Sequence, residues 1–168
     1  MNIRIIAPAR WIEKDVLEAF SAAIQDRSCN VETSGQVLMQ AGQLAGDDQE
    51  RADALSRAIY DEGVDVIWAA RGGYGAMRTL AKLKTGAPRR KVFVGYSDMC
   101  ALQFGVLGAD VNCVHGAMPI DCIAGKVTNI EDTYSFVECL TKEGRAAERT
   151  HKLLALSLGE AQGPVFAS

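Results

Sequence analysis

A chain of 168 residues is the length of one domain, since single domains cluster near ~100–150 residues, and it can bury ~70% of the surface its unfolded form exposes. Apolar residues make up 48% and charged residues 23%, which excludes disorder and collagen-like repeats. Lys+Arg 18 against Asp+Glu 21 leaves a net charge of −3, so nothing in the balance recruits a phosphate backbone or an anionic membrane, and neither is an expected partner. The chain opens on residues 2–7, a continuous apolar run closed by Pro8 and suited to a buried first strand. Residues 13–25 place Val16, Leu17, Phe20, Ala23 and Ile24 at helical spacing. The Gly/Gln/Asp-rich residues 42–48 form a loop, with Asp47 or Asp48 as a cap for a helix over 49–60 that Gly63 stops.

Residues 64–70 are the most strand-like run in the chain. They feed directly into Arg71-Gly72-Gly73-Tyr74-Gly75, after which helical spacing resumes over 76–84. Residues 91–95 predict a further strand, followed by Tyr96-Ser97-Asp98 and a helical pattern over 99–107. A short strand over 111–114 precedes the His115-Gly116 turn, and residues 133–140 predict a late helix. This alternation of strand and helix predicts an α/β domain with a mainly parallel sheet. Gln162-Gly163-Pro164 reads as a turn, and Val165-Phe166-Ala167-Ser168 as the start of a new apolar strand without a sequel.

The first eight residues hold too short an apolar run for a signal-peptide core. No stretch approaches the ~20 apolar residues that span a bilayer. Five cysteines (Cys29, Cys100, Cys113, Cys122, Cys139) without CxxC spacing point to reduced thiols, and therefore to a cytoplasmic protein.

In an open parallel sheet, ligands bind beyond the carboxyl ends of the strands. Here two such ends carry the Arg71–Gly75 turn and Ser97, which would face one crevice if their strands are neighbours. Gly95-Tyr96-Ser97-Asp98 has the strand–turn–helix context of a nucleophile elbow, although the second glycine of G-x-S-x-G is Met99. The alternative is that Ser97 or Asp98 merely caps the following helix. Gly72, Gly73 and Gly75 suit a turn with positive φ, an oxyanion hole or a phosphate cradle. The dinucleotide fingerprint fails, because its third glycine falls on Arg78. Of the two histidines, His115 is a candidate dyad partner for Ser97 or an orderer of its own loop, while His151 sits in a charged stretch. Arg71 and Arg78 could receive a substrate carboxylate, or pair with surface acids. No His/Cys spacing matches a metal site, so no metal is expected.

Five segments occur in order: Ile5-Ile6-Ala7-Pro8, Gly46-Asp47-Asp48-Gln49-Glu50-Arg51-Ala52-Asp53, Ala70-Arg71-Gly72-Gly73-Tyr74-Gly75-Ala76, Val94-Gly95-Tyr96-Ser97-Asp98 and His115-Gly116-Ala117-Met118. Together they resemble the N-terminal domain of the LD-carboxypeptidases, the serine peptidases of bacterial murein recycling, a family that also includes the microcin C immunity peptidases. The resemblance implies a three-layer α/β domain with a mainly parallel sheet, flavodoxin-like or class I glutamine amidotransferase-like. Residues 1–155 would be the nucleophile domain, and residues 156–168 the start of a linker or strand toward a C-terminal domain. It implies a cytoplasmic enzyme that releases the terminal D-alanine from a murein tetrapeptide, or acts on a related LD-peptide, without cofactor and as a homodimer.

Ser97 would be the nucleophile. The backbone N–H of Asp98 and that of Gly73 or Gly75 would form the oxyanion hole, and Arg71, Gly72, Tyr74 and His115 would contact substrate. The family takes the glutamate and histidine of its triad from the C-terminal domain. Neither can be assigned in this chain, and His115 matches a turn whose family proline is Ala117 here. The expectation is therefore that these residues hold nucleophile and oxyanion hole without a general base, and are inactive alone. The rivals are a microcin-type immunity peptidase, a non-catalytic ligand-binding module and a nucleotide-binding domain.

Overall fold

The computed structural model describes residues 1–24, 27–83, 91–106, 111–122 and 127–143. Five strands, β1 (Asn2–Ile6), β2 (Asn30–Thr33), β3 (Val66–Ala69), β4 (Lys91–Val94) and β5 (Val111–Val114), form one sheet in the order β2-β1-β3-β4-β5. Every pairing is parallel. This is the doubly wound order of flavodoxin-like folds, in which chain direction along the sheet reverses between β1 and β3.

Strand residues alternate between two apolar layers because successive side chains point to opposite faces. Ile3, Ile5, Val66, Trp68, Val92 and Val94 pack on one face with α1 (Lys14–Ile24) and α5 (Val127–Glu143). Ile6, Ile67, Ala69 and Phe93 pack on the other face with α2 (Asp48–Tyr60), α3 (Ala76–Leu80) and α4 (Met99–Val106). The result is the parallel α/β sheet that the alternation predicted, in the three layers that the resemblance implied. On the first face Phe20 meets Trp68 edge-on, with ring centroids 5.0 Å apart.

Three elements differ from the expectation. β2 has no counterpart in the sequence pattern because its segment, Asn30-Val31-Glu32-Thr33, is polar and largely exposed at the sheet edge, so it carries no apolar period. α3 ends at Leu80, short of the residue 84 expected. α5 is longer than residues 133–140, and its core stripe of Ile130, Tyr134, Val137 and Leu140 includes a member upstream of the predicted start. Asp47 caps α2 and forms a reciprocal capping box with Glu50. The expected terminal strand over 165–168, His151 and the proposed boundary at 155/156 lie outside the described residues.

Candidate active site

The two turns singled out in the sequence meet at the carboxyl edge of the sheet, because β3 and β4 are hydrogen-bonded neighbours. β4 is fixed there by Gln103, a buried side chain of α4 whose Nε2 donates to the Gly95 carbonyl at 2.8 Å and the Val114 carbonyl at 3.0 Å. The chain then turns sharply at Ser97. Among the described residues, Ser97 is the only non-glycine with positive φ, at 60°. A non-glycine residue held there costs about 1–3 kcal/mol and persists only where its surroundings over-determine it. They do so here. A Cβ at Gly95 would lie 3.0 Å from Met99 Cβ and 3.3 Å from Ala69 Cβ, so Met99 occupies the room that the bare Gly95 leaves. The next N–H groups close the turn, Met99 N–H onto the Tyr96 carbonyl and Cys100 N–H onto the Ser97 carbonyl, at 3.2 and 3.0 Å.

Across the crevice, Gly72 is bare for a reason of space. A Cβ built on it would lie 3.1 Å from Ser97 Cβ and 3.2 Å from Ser97 Oγ. Gly73 and Gly75 follow with φ of 119° and 129°, conformations open to glycine. Neither their N–H groups nor that of Asp98 donates a hydrogen bond among the described residues. Three backbone donors of the two turns thus have no partner among the described residues, and Ser97 itself is exposed. The Asp98 side chain does not cap its own helix, as the alternative reading held. Its Oδ2 instead accepts the N–H of Ala76, the first residue of α3, at 2.9 Å, and so ties the serine turn to the end of the glycine turn.

Tyr96 is anchored in the same way. Its hydroxyl donates to Asp121 Oδ1 at 3.0 Å, while Asp121 Oδ2 accepts the N–H of Met118 at 2.8 Å. Burial, with the neighbouring Asp121 carboxylate as a further cause, pushes the Tyr96 phenol above its usual range, so it remains a neutral donor.

The remaining candidates divide. Arg71 is half-buried beside Gly72. Its Nη1 reaches only the Trp11 carbonyl, at 3.5 Å, and its buried Nε has no partner. Tyr74 is 68% exposed and free to meet a ligand. Arg78 pairs with Asp48 at 2.9 Å, the surface-acid alternative. His115 is exposed, with Nδ1 3.8 Å from Cys100 Sγ and its ring 5.9 Å from that of Tyr96. No hydrogen bond joins it to Ser97, so the two are not assembled as a dyad. A groove of about 610 Å³ between α1 and residues 33–38 does not include Ser97.

Sequence reasoning missed the supports. Arg51 is wholly buried. It donates to the Gly46 carbonyl at 2.6 Å and Thr79 Oγ1 at 3.1 Å and pairs with Asp48, while Thr79 donates to the Pro8 carbonyl at 2.7 Å. One guanidinium thereby joins α2, α3 and the β1 turn. The available signal was its position on the apolar face of α2, four residues before Leu55. Asp121 and Arg10, whose stem fills the space a Gly73 side chain would need, had no such signal.

Residues 3–116 match the family model described as the LD-carboxypeptidase N-terminal domain. The chain is 28% identical over 118 residues to a murein tetrapeptide carboxypeptidase of Pseudomonas aeruginosa, covering 68% of this chain and 38% of that protein. Among solved structures it resembles a muramoyltetrapeptide carboxypeptidase from Oxalobacter formigenes, with a TM-score of 0.61 and 26% identity over 71% of this chain and 40% of that one. An MccF-like protein from Streptococcus pneumoniae in complex with AMP shares the fold, with a TM-score of 0.67 at 21% identity over 86% of this chain and 45% of the other. The chain therefore spans less than half the length of these relatives. With the family model covering most of its length, this chain belongs to the LD-carboxypeptidase family.

Proposed function

We propose that the chain is the nucleophile-bearing part of a serine carboxypeptidase that releases the terminal D-alanine from murein tetrapeptides. The observation that carries this reading is the positive φ of exposed Ser97 at a strand-to-helix turn, beside a Gly72 that has no room for a side chain. A turn that only capped a helix would have no need of such a backbone. Ser97 Oγ attacks the carbonyl of the L,D amide. The N–H of Asp98 and that of Gly73 or Gly75 receive the developing oxyanion, and D-alanine leaves. Water then frees the acyl group. Losing one such donor typically costs ~10²–10³ in rate. Gly72 and Tyr74 line the substrate path with Arg71, and His115 borders it.

A serine hydroxyl needs a base, and none of the described residues hydrogen-bonds to Ser97 as one. The proposal assigns the base and its orienting carboxylate to a C-terminal domain of the full-length protein, a histidine and a glutamate, and places the enzyme in the cytoplasm as a homodimer. The test is D-alanine release from a murein tetrapeptide by the protein as its gene encodes it, by this chain alone, and by Ser97→Ala. Release by the longer protein only, abolished in Ser97→Ala, is the expected result. Release by Ser97→Ala would overturn the nucleophile assignment, and release by the short chain would overturn the divided triad. An acylsulfamoyl nucleotide offered in parallel tests an immunity-type activity; its preferential hydrolysis would replace the murein substrate.

A further inference from the structure

The geometry points to Arg71 as the receptor for the free carboxylate at the end of the peptide substrate, an inference that rests on the serine carboxypeptidase reading above. Arg71 directly follows the last pairing of β3 and precedes Gly72, the residue against which Ser97 is pressed. A guanidinium carries five N–H donors in a planar fork. Of these, the one on Nε is buried and unpartnered, and the Nη1 group has a single contact at 3.5 Å. No carboxylate among the described residues forms an ion pair with it.

Arg51 and Arg78, at the same end of the sheet, by contrast share Asp48. The Nε is closed off, so the Nη end of the guanidinium, with its one long contact, is the part a ligand can meet. A carboxylate is the matching group, because its two oxygens take parallel N–H bonds from a guanidinium fork. Arg10 adds a second cation nearby. Its stem crosses Gly73, and its guanidinium likewise forms no ion pair among the described residues. A released D-amino acid carries such a carboxylate one residue beyond the scissile carbonyl, and Ser97 lies where a side chain on the neighbouring Gly72 would meet it.

The experiment compares two tetrapeptides, one ending in the free acid and one in the carboxamide, with the full-length protein. Hydrogen bonds to a charged group convert to about 10- to 100-fold in binding, so amidation should lower kcat/KM of the wild type by that factor. In Arg71→Gln the free acid should lose the same factor while the amide changes little, bringing the ratio close to one. Arg71→Lys, which keeps the charge without the fork, should fall between. Equal use of acid and amide by the wild type would overturn the inference, as would an acid-to-amide ratio left intact in Arg71→Gln or Arg71→Lys. Either failure leaves the nucleophile reading standing, since that depends on Ser97→Ala alone.

Discussion

At the scale of single residues, the site is built by exclusion as much as by contact. Gly72 matters for the side chain it lacks, and Gly72→Ala would push a methyl group into Ser97 at 3.1 Å. A displacement of a few tenths of an ångström at the attacking atom should cost about 10- to 100-fold in kcat/KM, while thermal melting shifts little. Asp98 works through its side chain as well as through its N–H. Asp98→Asn retains an oxygen for Ala76 and should preserve most activity in the full-length protein. Asp98→Ala frees the glycine turn and should lower kcat by about tenfold or more with KM little changed, the signature of an interaction used in the transition state. Cys113 gives a pH prediction. Burial pushes its thiol up to about 11 from the ordinary 9.0, so folding favours the neutral thiol. That contribution is complete below pH 9.0 and is lost as pH rises through about 11. Alkaline melts should therefore flatten over this interval in Cys113→Ala relative to the wild type.

At the scale of elements, one buried cation binds three of them together. Arg51→Met would leave the Gly46 carbonyl without its partner and Asp48 with Arg78 alone, and should cost about 3 kcal/mol in chemical denaturation. Desolvation is the largest single influence on the Asp48 carboxyl and acts to raise it. The hydrogen bonds from Arg78 and Arg51 outweigh it together and hold the group below its usual range. A depressed carboxyl contributes stability above its unfolded value of 3.8, which is lost as pH falls through the lower folded value. The melting temperature should accordingly drop below about pH 4 in the wild type, and drop less in Asp48→Asn.

The same elements show what a sequence discloses. β3 and β4 were legible because all four residues of each are buried, giving the apolar runs 66–69 and, behind a buried Lys91, 92–94. β2 was not, since an edge strand whose side chains meet water carries no pattern for a period-two reading to find. The turn at Ser97 was legible as a location. Its meaning was not, because the choice between a capping serine and a strained one depends on φ and on a contact with a residue 25 positions earlier in the chain.

At the scale of the molecule, five parallel strands bring two glycine-bearing ends to one edge and leave Ser97 exposed there. Among the described residues no group of three metal-binding side chains comes together, and no helix is long and apolar enough to cross a membrane. Among the described residues no histidine or carboxylate hydrogen-bonds to Ser97.

The backbone at residue 97 has a further consequence. Ser97→Ala keeps the side-chain strain of a φ of 60°, whereas Ser97→Gly relieves it, and the glycine variant should be more stable than the alanine variant by about 1 kcal/mol in urea denaturation. Heat resistance and reactivity therefore pull in opposite directions at this one position. In a lineage released from the need to cleave anything, drift toward glycine here would be rewarded by a sturdier protein. A glycine at this turn in an otherwise intact relative would mark a fold that has outlived its chemistry.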